Sequence, residues 1–142
     1  MKVLIPVDGS ECSLRAVAHT IRTIDACARR DGFEVHLLNV QARLPGTVGI
    51  GLRGKDLEDF HREEGFKALG PARALFDQAG VACTPHIDVG RPAEVIDRYA
   101  RELGIDQIVM GTRGLGNLAD ILLGSTSEDL LRLTRLPLLL VK

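Results

Sequence analysis

The sequence predicts a parallel α/β fold with helices on both faces of one sheet. Three observations lead there. Short apolar runs alternate with amphipathic stretches from one end of the chain to the other. Glycine or proline marks the junctions between them. The order that results is β-α-β-α-β-α-β-α-β. Strands joined through helices pair in parallel, because right-handed crossovers lay each helix on a face of the sheet.

Each element has a local reason. Lys2, Val3, Leu4, Ile5, Pro6 and Val7 form a short continuous run, the pattern of a buried strand. A helix is predicted over about 11–31, where Leu14, Val17, Ile21, Ile24 and Ala28 fall on one face. Ser10 is its expected N-cap and Gly32 its stop. Residues 34–40 read as a second strand. Residues 41–54 hold four glycines and Pro45, so they read as a loop. Leu57, Phe60, Leu69, Ala72, Phe76 and Ala79 mark a second helix, which Gly65 and Gly70-Pro71 are expected to bend or interrupt, with Gly80 at its end. A third strand spans 81–89, and Pro85 within it argues for a sheet edge. Pro92 opens a third helix at the favoured first-turn position; Val95, Ile96, Tyr99, Ala100 and Leu103 form its inner face, and Gly104 closes it. Residues 107–110 are the fourth strand, 112–124 a glycine-punctuated loop, 125–134 the fourth helix and 138–141 the fifth strand.

The chain of 142 residues fits one domain with its own core. Its 18 basic and 19 acidic residues are interleaved, without a basic run, and aromatics are only 4%; both facts argue against a nucleic-acid surface. The first apolar run stops at Asp8, too soon for a signal peptide, and no stretch approaches a membrane span, so a cytoplasmic protein is expected. Cys12, Cys27 and Cys83 are odd in number and lack metal or redox spacing, so they read as reduced thiols. His19, His36, His61 and His86 fall on different elements without ligand spacing and read as surface or half-buried residues.

In open α/β sheets, ligands bind at the carboxyl ends of strands where the strand order reverses. Asp8, Gly9 and Ser10 follow the first strand. Gly111, Gly114, Gly124 and Ser125 form a G-x2-G-x9-G-[ST] pattern that opens at a strand end and closes at a helix start. Glycines let backbone N–H groups approach phosphate oxygens, and the first N–H groups of a helix have no intrahelical partner. Arg113 would lend positive charge to the outer phosphates. Two bland readings stand beside this one. Ser125 and Glu128 spell a capping box that needs no ligand, and Asp8-Gly9-Ser10 reads equally as a turn and helix start. There is no Walker A lysine and no G-x-G-x-x-G after the first strand. Response regulators need an acidic pair near the first strand and a later lysine, and only Asp8 is present.

These residues resemble the universal stress protein family. The likeness runs from the opening strand and turn at 3–10, through 109–114 and 123–127, to the closing strand at 136–141. The glycine pattern is similar to that of the ATP-binding branch. The resemblance implies the sheet order 3-2-1-4-5, with Pro6, Val7 and Asp8 bordering adenine and ribose and the Val40 backbone at the adenine edge. It implies Met110 and Gly111 on the floor, Arg113 and Gly114 near the phosphates, and Gly124, Ser125 and Thr126 at the helix start. It also implies Mg2+ or Mn2+ carried by the phosphates. In that order the apolar strand 138–141 is an edge, which invites a two-fold homodimer.

The function expected is that of an ATP-binding sensor or switch of the stress response, with the loop 41–54 as the part that responds. The motif offers no obvious base, since Asp120 and Glu128 read as solvated or capping, so hydrolysis is expected to be slow or absent. A nucleotide-free, chaperone-like dimer is the alternative.

Overall fold

A computed structural model describes residues 1–43, 54–113 and 123–142. Its elements are β1 (Lys2–Pro6), α1 (Glu11–Ala26), β2 (Glu34–Gln41), α2 (Lys55–Gln78), β3 (Cys83–Val89), α3 (Pro92–Glu102), β4 (Gln107–Gly111), α4 (Ser125–Leu133) and β5 (Leu138–Val141). The five strands form one sheet in the order β3-β2-β1-β4-β5, and every neighbouring pair is parallel. This is the order the family resemblance implied, and β3 takes the edge that Pro85 argued for.

Strand side chains alternate between two cores, as the two-residue strand period requires. Val3, Ile5 and Val7 of the β1 segment pack with Val35 and Leu37 beneath α1 and α2, where Val17, Ile24, Leu69 and Phe76 meet them. Leu4, Leu38, Ile108 and Met110 face the other way, against Ile96 of α3 and Leu130 of α4. β1 is therefore buried on both faces, which explains its continuous apolar run. The chain moves outward from β1 to β2 and β3, then returns to place β4 on the other side of β1. The switch point lies between β1 and β4.

Some boundaries differ from the sequence reading, each for a physical reason. α1 stops at Ala26, and a short 3-10 turn at Arg30–Gly32 precedes β2. Its last apolar anchor is Ile24, which is buried, whereas Ala28 is exposed and gives the helix nothing to pack against. α2 runs unbroken through Gly70 and Pro71. An interior proline costs about 3 kcal/mol, but Leu69, Ala72 and Phe76 on either side of it are completely buried. Burying a leucine or phenylalanine is worth about 1.5–3 kcal/mol each, so tertiary packing keeps the helix continuous past the proline. Gly65 does not interrupt the helix either. A Cβ there would lie 2.6 Å from the Ile87 side chain, so glycine lets α2 settle directly on the edge strand. β3 begins at Cys83 rather than 81, and β2 extends through Gln41 into the expected loop.

Candidate functional site

The site begins at the turn after β1. Gly9 has φ +84, a left-handed conformation that favours glycine. This lets the Asp8 carboxylate fold back, where Oδ1 accepts a hydrogen bond from the Ser10 amide at 3.0 Å. Ser10 then caps α1, its hydroxyl accepting from the Ser13 amide at 3.2 Å. The turn-and-cap reading is thus correct as local structure, and it leaves Asp8 exposed at the mouth of a cleft.

Behind this turn, Val7 is fixed by β2. Its N–H donates to the Leu38 carbonyl at 2.9 Å, and its carbonyl accepts from Asn39 Nδ2 at 2.8 Å. Asn39 is buried, and its Oδ1 accepts from Gln41 Nε2 at 2.6 Å. Val7 therefore offers a wall rather than a donor.

β4 supplies the floor. A Cβ on Gly111 would lie 2.6 Å from the backbone carbon of Cys12 and 2.8 Å from its carbonyl oxygen. Only glycine lets the end of β4 pass this close to the first turn of α1. Just beyond, the Gly124 amide donates to the Thr112 carbonyl at 2.7 Å. Ser127 Oγ donates to the Gly111 carbonyl at 3.3 Å. These two bonds clamp the start of α4 against the end of β4.

The capping box is not formed. Gly124 occupies the N-cap with φ -78 and ψ 155, no side chain caps the helix, and Ser125 is its first residue. The helix thus starts one residue earlier than the box requires, because the extended Gly124 carbonyl already accepts from the Glu128 amide. Ser125 and Glu128 are left to face the cleft. A glycine N-cap leaves the orphan N–H groups of the first turn to an outside acceptor, and the helix dipole favours an anion there.

A cleft of about 560 Å³ gathers these pieces. Pro6, Val7, Asp8, Val40, Met110, Gly111, Arg113, Gly124, Ser125 and Thr126 all line it. Gly114 and Asp120 lie outside the described residues, as does most of the expected loop 41–54. Sequence reasoning missed Ser13, Leu38, Pro92, Ile96, Leu123 and Ser127, which also line the cleft. Leu38 could have been found from its two-residue spacing with Val40, and Pro92 with Ile96 from their one-turn spacing on the inner face of α3. A larger cavity of about 670 Å³ lies between α2 and β3, lined by Leu57, Phe66 and Ile87 among others. It contains none of the glycine-motif residues, and volume alone supplies no chemistry.

Two sequence expectations about histidine change. His36 and His61 are buried, and His36 meets His86, with 3.0 Å between ring nitrogens. Cys12, Cys27 and Cys83 are free thiols. No described helix is long and apolar enough to cross a membrane.

Fold and cleft together define a parallel α/β protein with a cleft at the switch point, the place where open α/β sheets hold ligands, and a helix start beside it of the kind that suits an anion. A sequence profile of the universal stress protein family matches residues 1–142, and the chain belongs to that family. It is similar to the universal stress protein MJ0531 of Methanocaldococcus jannaschii, with 34% identity over 143 residues, covering 99% of this chain and 81% of that one. The solved structure of MJ0577 from the same organism superimposes with a TM-score of 0.83 and 30% identity, covering 99% of this chain and 94% of that one. An Arabidopsis thaliana universal stress protein family protein with AMP bound shares the fold at a TM-score of 0.65 and 22% identity, covering 100% and 91%.

Proposed function

We propose that this chain binds ATP in the switch-point cleft and acts as a cytoplasmic, nucleotide-dependent sensor or switch of the stress response. One observation carries the reading. Ten of the eleven residues singled out from the sequence line the same cleft, although they come from four separate parts of the chain. The apolar end, with Val7, Leu38, Val40 and Met110, suits a purine. The glycine-capped start of α4 and Arg113 suit the phosphates. The AMP bound to the Arabidopsis relative supports an adenine nucleotide as the ligand class.

Among the described residues, no three His, Cys, Asp or Glu side chains are placed to hold a metal. Mg2+ or Mn2+ would therefore take most of its ligands from the phosphates, with Asp8 and Glu128 the carboxylates on the cleft wall. When bound, the ion would neutralise phosphate charge. The exposure of Glu128 to the cleft favours slow ATP hydrolysis as a second reading, with turnover far below the enzyme median of ~10 per second.

The test is direct. Acid denaturation of the purified protein should release ATP or ADP at about one per chain, or the emptied protein should bind ATP with Mg2+ added back. Neither release nor rebinding would leave the chaperone-like dimer as the better reading.

A homodimer through β5 is part of the proposal. Among the described residues β5 has only β4 beside it, its four apolar residues are half-buried, and Leu131 and Leu133 of α4 are about half exposed. An apolar edge of this kind favours pairing with a second chain. Light scattering at micromolar concentration should give the dimer mass, and a strictly monomeric mass would refute this contact.

A further inference from the structure

His36 and His86 sit diagonally across the β2–β3 seam, since the register pairs His36 with Thr84 and Leu38 with His86. Their ring nitrogens, His36 Nδ1 and His86 Nε2, are 3.0 Å apart, with ring centroids at 5.2 Å. The other nitrogen of His36 lies 2.9 Å from Glu34 Oε1. On the far side, Tyr99 of α3 stands edge-on to the His86 ring at 5.4 Å. The result is a chain of carboxylate, imidazole, imidazole and phenol across three elements.

We propose that the His36–His86 pair is an acid sensor built into the β2–β3 seam, which accepts one added proton and is broken by a second. A nitrogen-to-nitrogen contact of this length contains one hydrogen, with a lone pair opposite it. After one added proton to the pair, the facing nitrogens still hold one hydrogen between them, and Glu34 accepts from the outer nitrogen of His36. A second proton sets N–H against N–H and places two positive rings side by side. Burial, and then the charge of His36, hold the His86 pKa below that of an ordinary histidine.

The sign follows by linkage. As pH falls below about 6.5, the unfolded chain protonates both imidazoles while the folded seam takes only one. Stability from the pair is complete above that pH and is lost on acidification. The loss falls on β3, which among the described residues has β2 as its only strand partner.

The groups around the pair come from every packed element. Lys2 of β1 lies 3.4 Å from Glu34. Asp88 of β3 pairs with Arg98 of α3 at 2.6 Å, and Glu102 lies 3.5 Å from Arg98. The hydrogen bond from His36, aided by Lys2, holds the Glu34 pKa below the usual carboxylate value. Burial pushes the Asp88 pKa up, but hydrogen bonds from Arg98 and the Val89 amide outweigh it and keep the value low. Burial raises the Tyr99 pKa. Glu34 and Asp88 therefore stay ionised and Tyr99 neutral between pH 5 and 7.5.

Amide hydrogen exchange in β3 of the full chain, corrected for intrinsic rates, tests the sensor at pH 7.5 and 5.0. One excluded proton raises the opening equilibrium toward a limit of about thirtyfold. His86→Gln should flatten this rise to within about twofold, while His36→Gln, which removes the neighbouring ring but leaves His86 in its buried place, should reduce the rise without abolishing it. An unchanged rise in both variants, or no rise in wild type, overturns the sensor. If the variants do not fold, the imidazole nitrogens of the wild-type protein are titrated by NMR. Two separated steps support the pair, and both rings titrating together near about 6.5 refute it.

Discussion

Gly124→Val is expected to weaken ATP binding by on the order of tenfold to a hundredfold while leaving the protein folded. The backbone of Gly124, at φ -78 and ψ 155, is extended and open to any residue. Valine therefore takes up that backbone conformation without dihedral strain, and the poorer N-cap costs about 1 kcal/mol or less. What it adds is a branched side chain where the amides of the first turn of α4 must approach a phosphate. Losing a hydrogen bond to a charged group costs about 1.5–3 kcal/mol, and about 1.4 kcal/mol is a factor of ten in affinity. Calorimetric titration with ATP and Mg2+ measures it. Gly124→Ser gives the reverse balance: its hydroxyl would cap the helix, stabilise the fold by a few tenths of a kcal/mol, and compete with the phosphate for the same amides. Unchanged affinity in both variants would remove the start of α4 from the ligand site.

Gly111→Ala is expected to do the opposite, harming the fold before the ligand. The new Cβ would meet the backbone of Cys12 at 2.6 Å. A flexible side chain could swing aside, but a backbone carbon and carbonyl in the first turn of a helix cannot. β4 and α1 must separate, at a cost of about 3 kcal/mol, the upper part of the usual range for overpacking. Urea unfolding should show a lower midpoint with an unchanged slope. A midpoint within error of wild type would mean that the two elements approach less closely than described.

These two glycines mark how far the sequence could be read. Gly111 and Gly124 were identifiable because their spacing brackets the change from strand to helix, and backbone geometry makes that spacing meaningful. Their separate reasons were not identifiable. One is a close contact with Cys12, ninety-nine positions away in sequence, and the other is a cap without a side chain. The start of α4 at Ser125 was legible, but its cap was not: Ser125 and Glu128 satisfy a local capping rule, and the Thr112–Gly124 bond holds Gly124 at the N-cap instead. Strand positions were legible because burial on both faces of β1 leaves no room for polar residues. The continuity of α2 was not, because the proline penalty is local whereas the compensating burial of Leu69, Ala72 and Phe76 is tertiary. Asn39 and the two meeting histidines were hidden in the register of β2 with its neighbours, which no single-strand pattern reveals.

The clamp between Thr112 and Gly124 has a consequence for how this protein tolerates change. A 2.7 Å backbone bond joins Thr112 to Gly124, the residues on either side of positions 113–123, so the chain is closed there into a ring with one knot. The closure entropy of such a ring grows only with the logarithm of its length, about 0.6 kcal/mol for each doubling. Residues added within the ring therefore leave the knot nearly as stable as before. Residues added between Thr112 and β4, or between Gly124 and α4, would shift the knot itself. The cleft floor and the helix start are thus insulated from length variation within the segment that separates them.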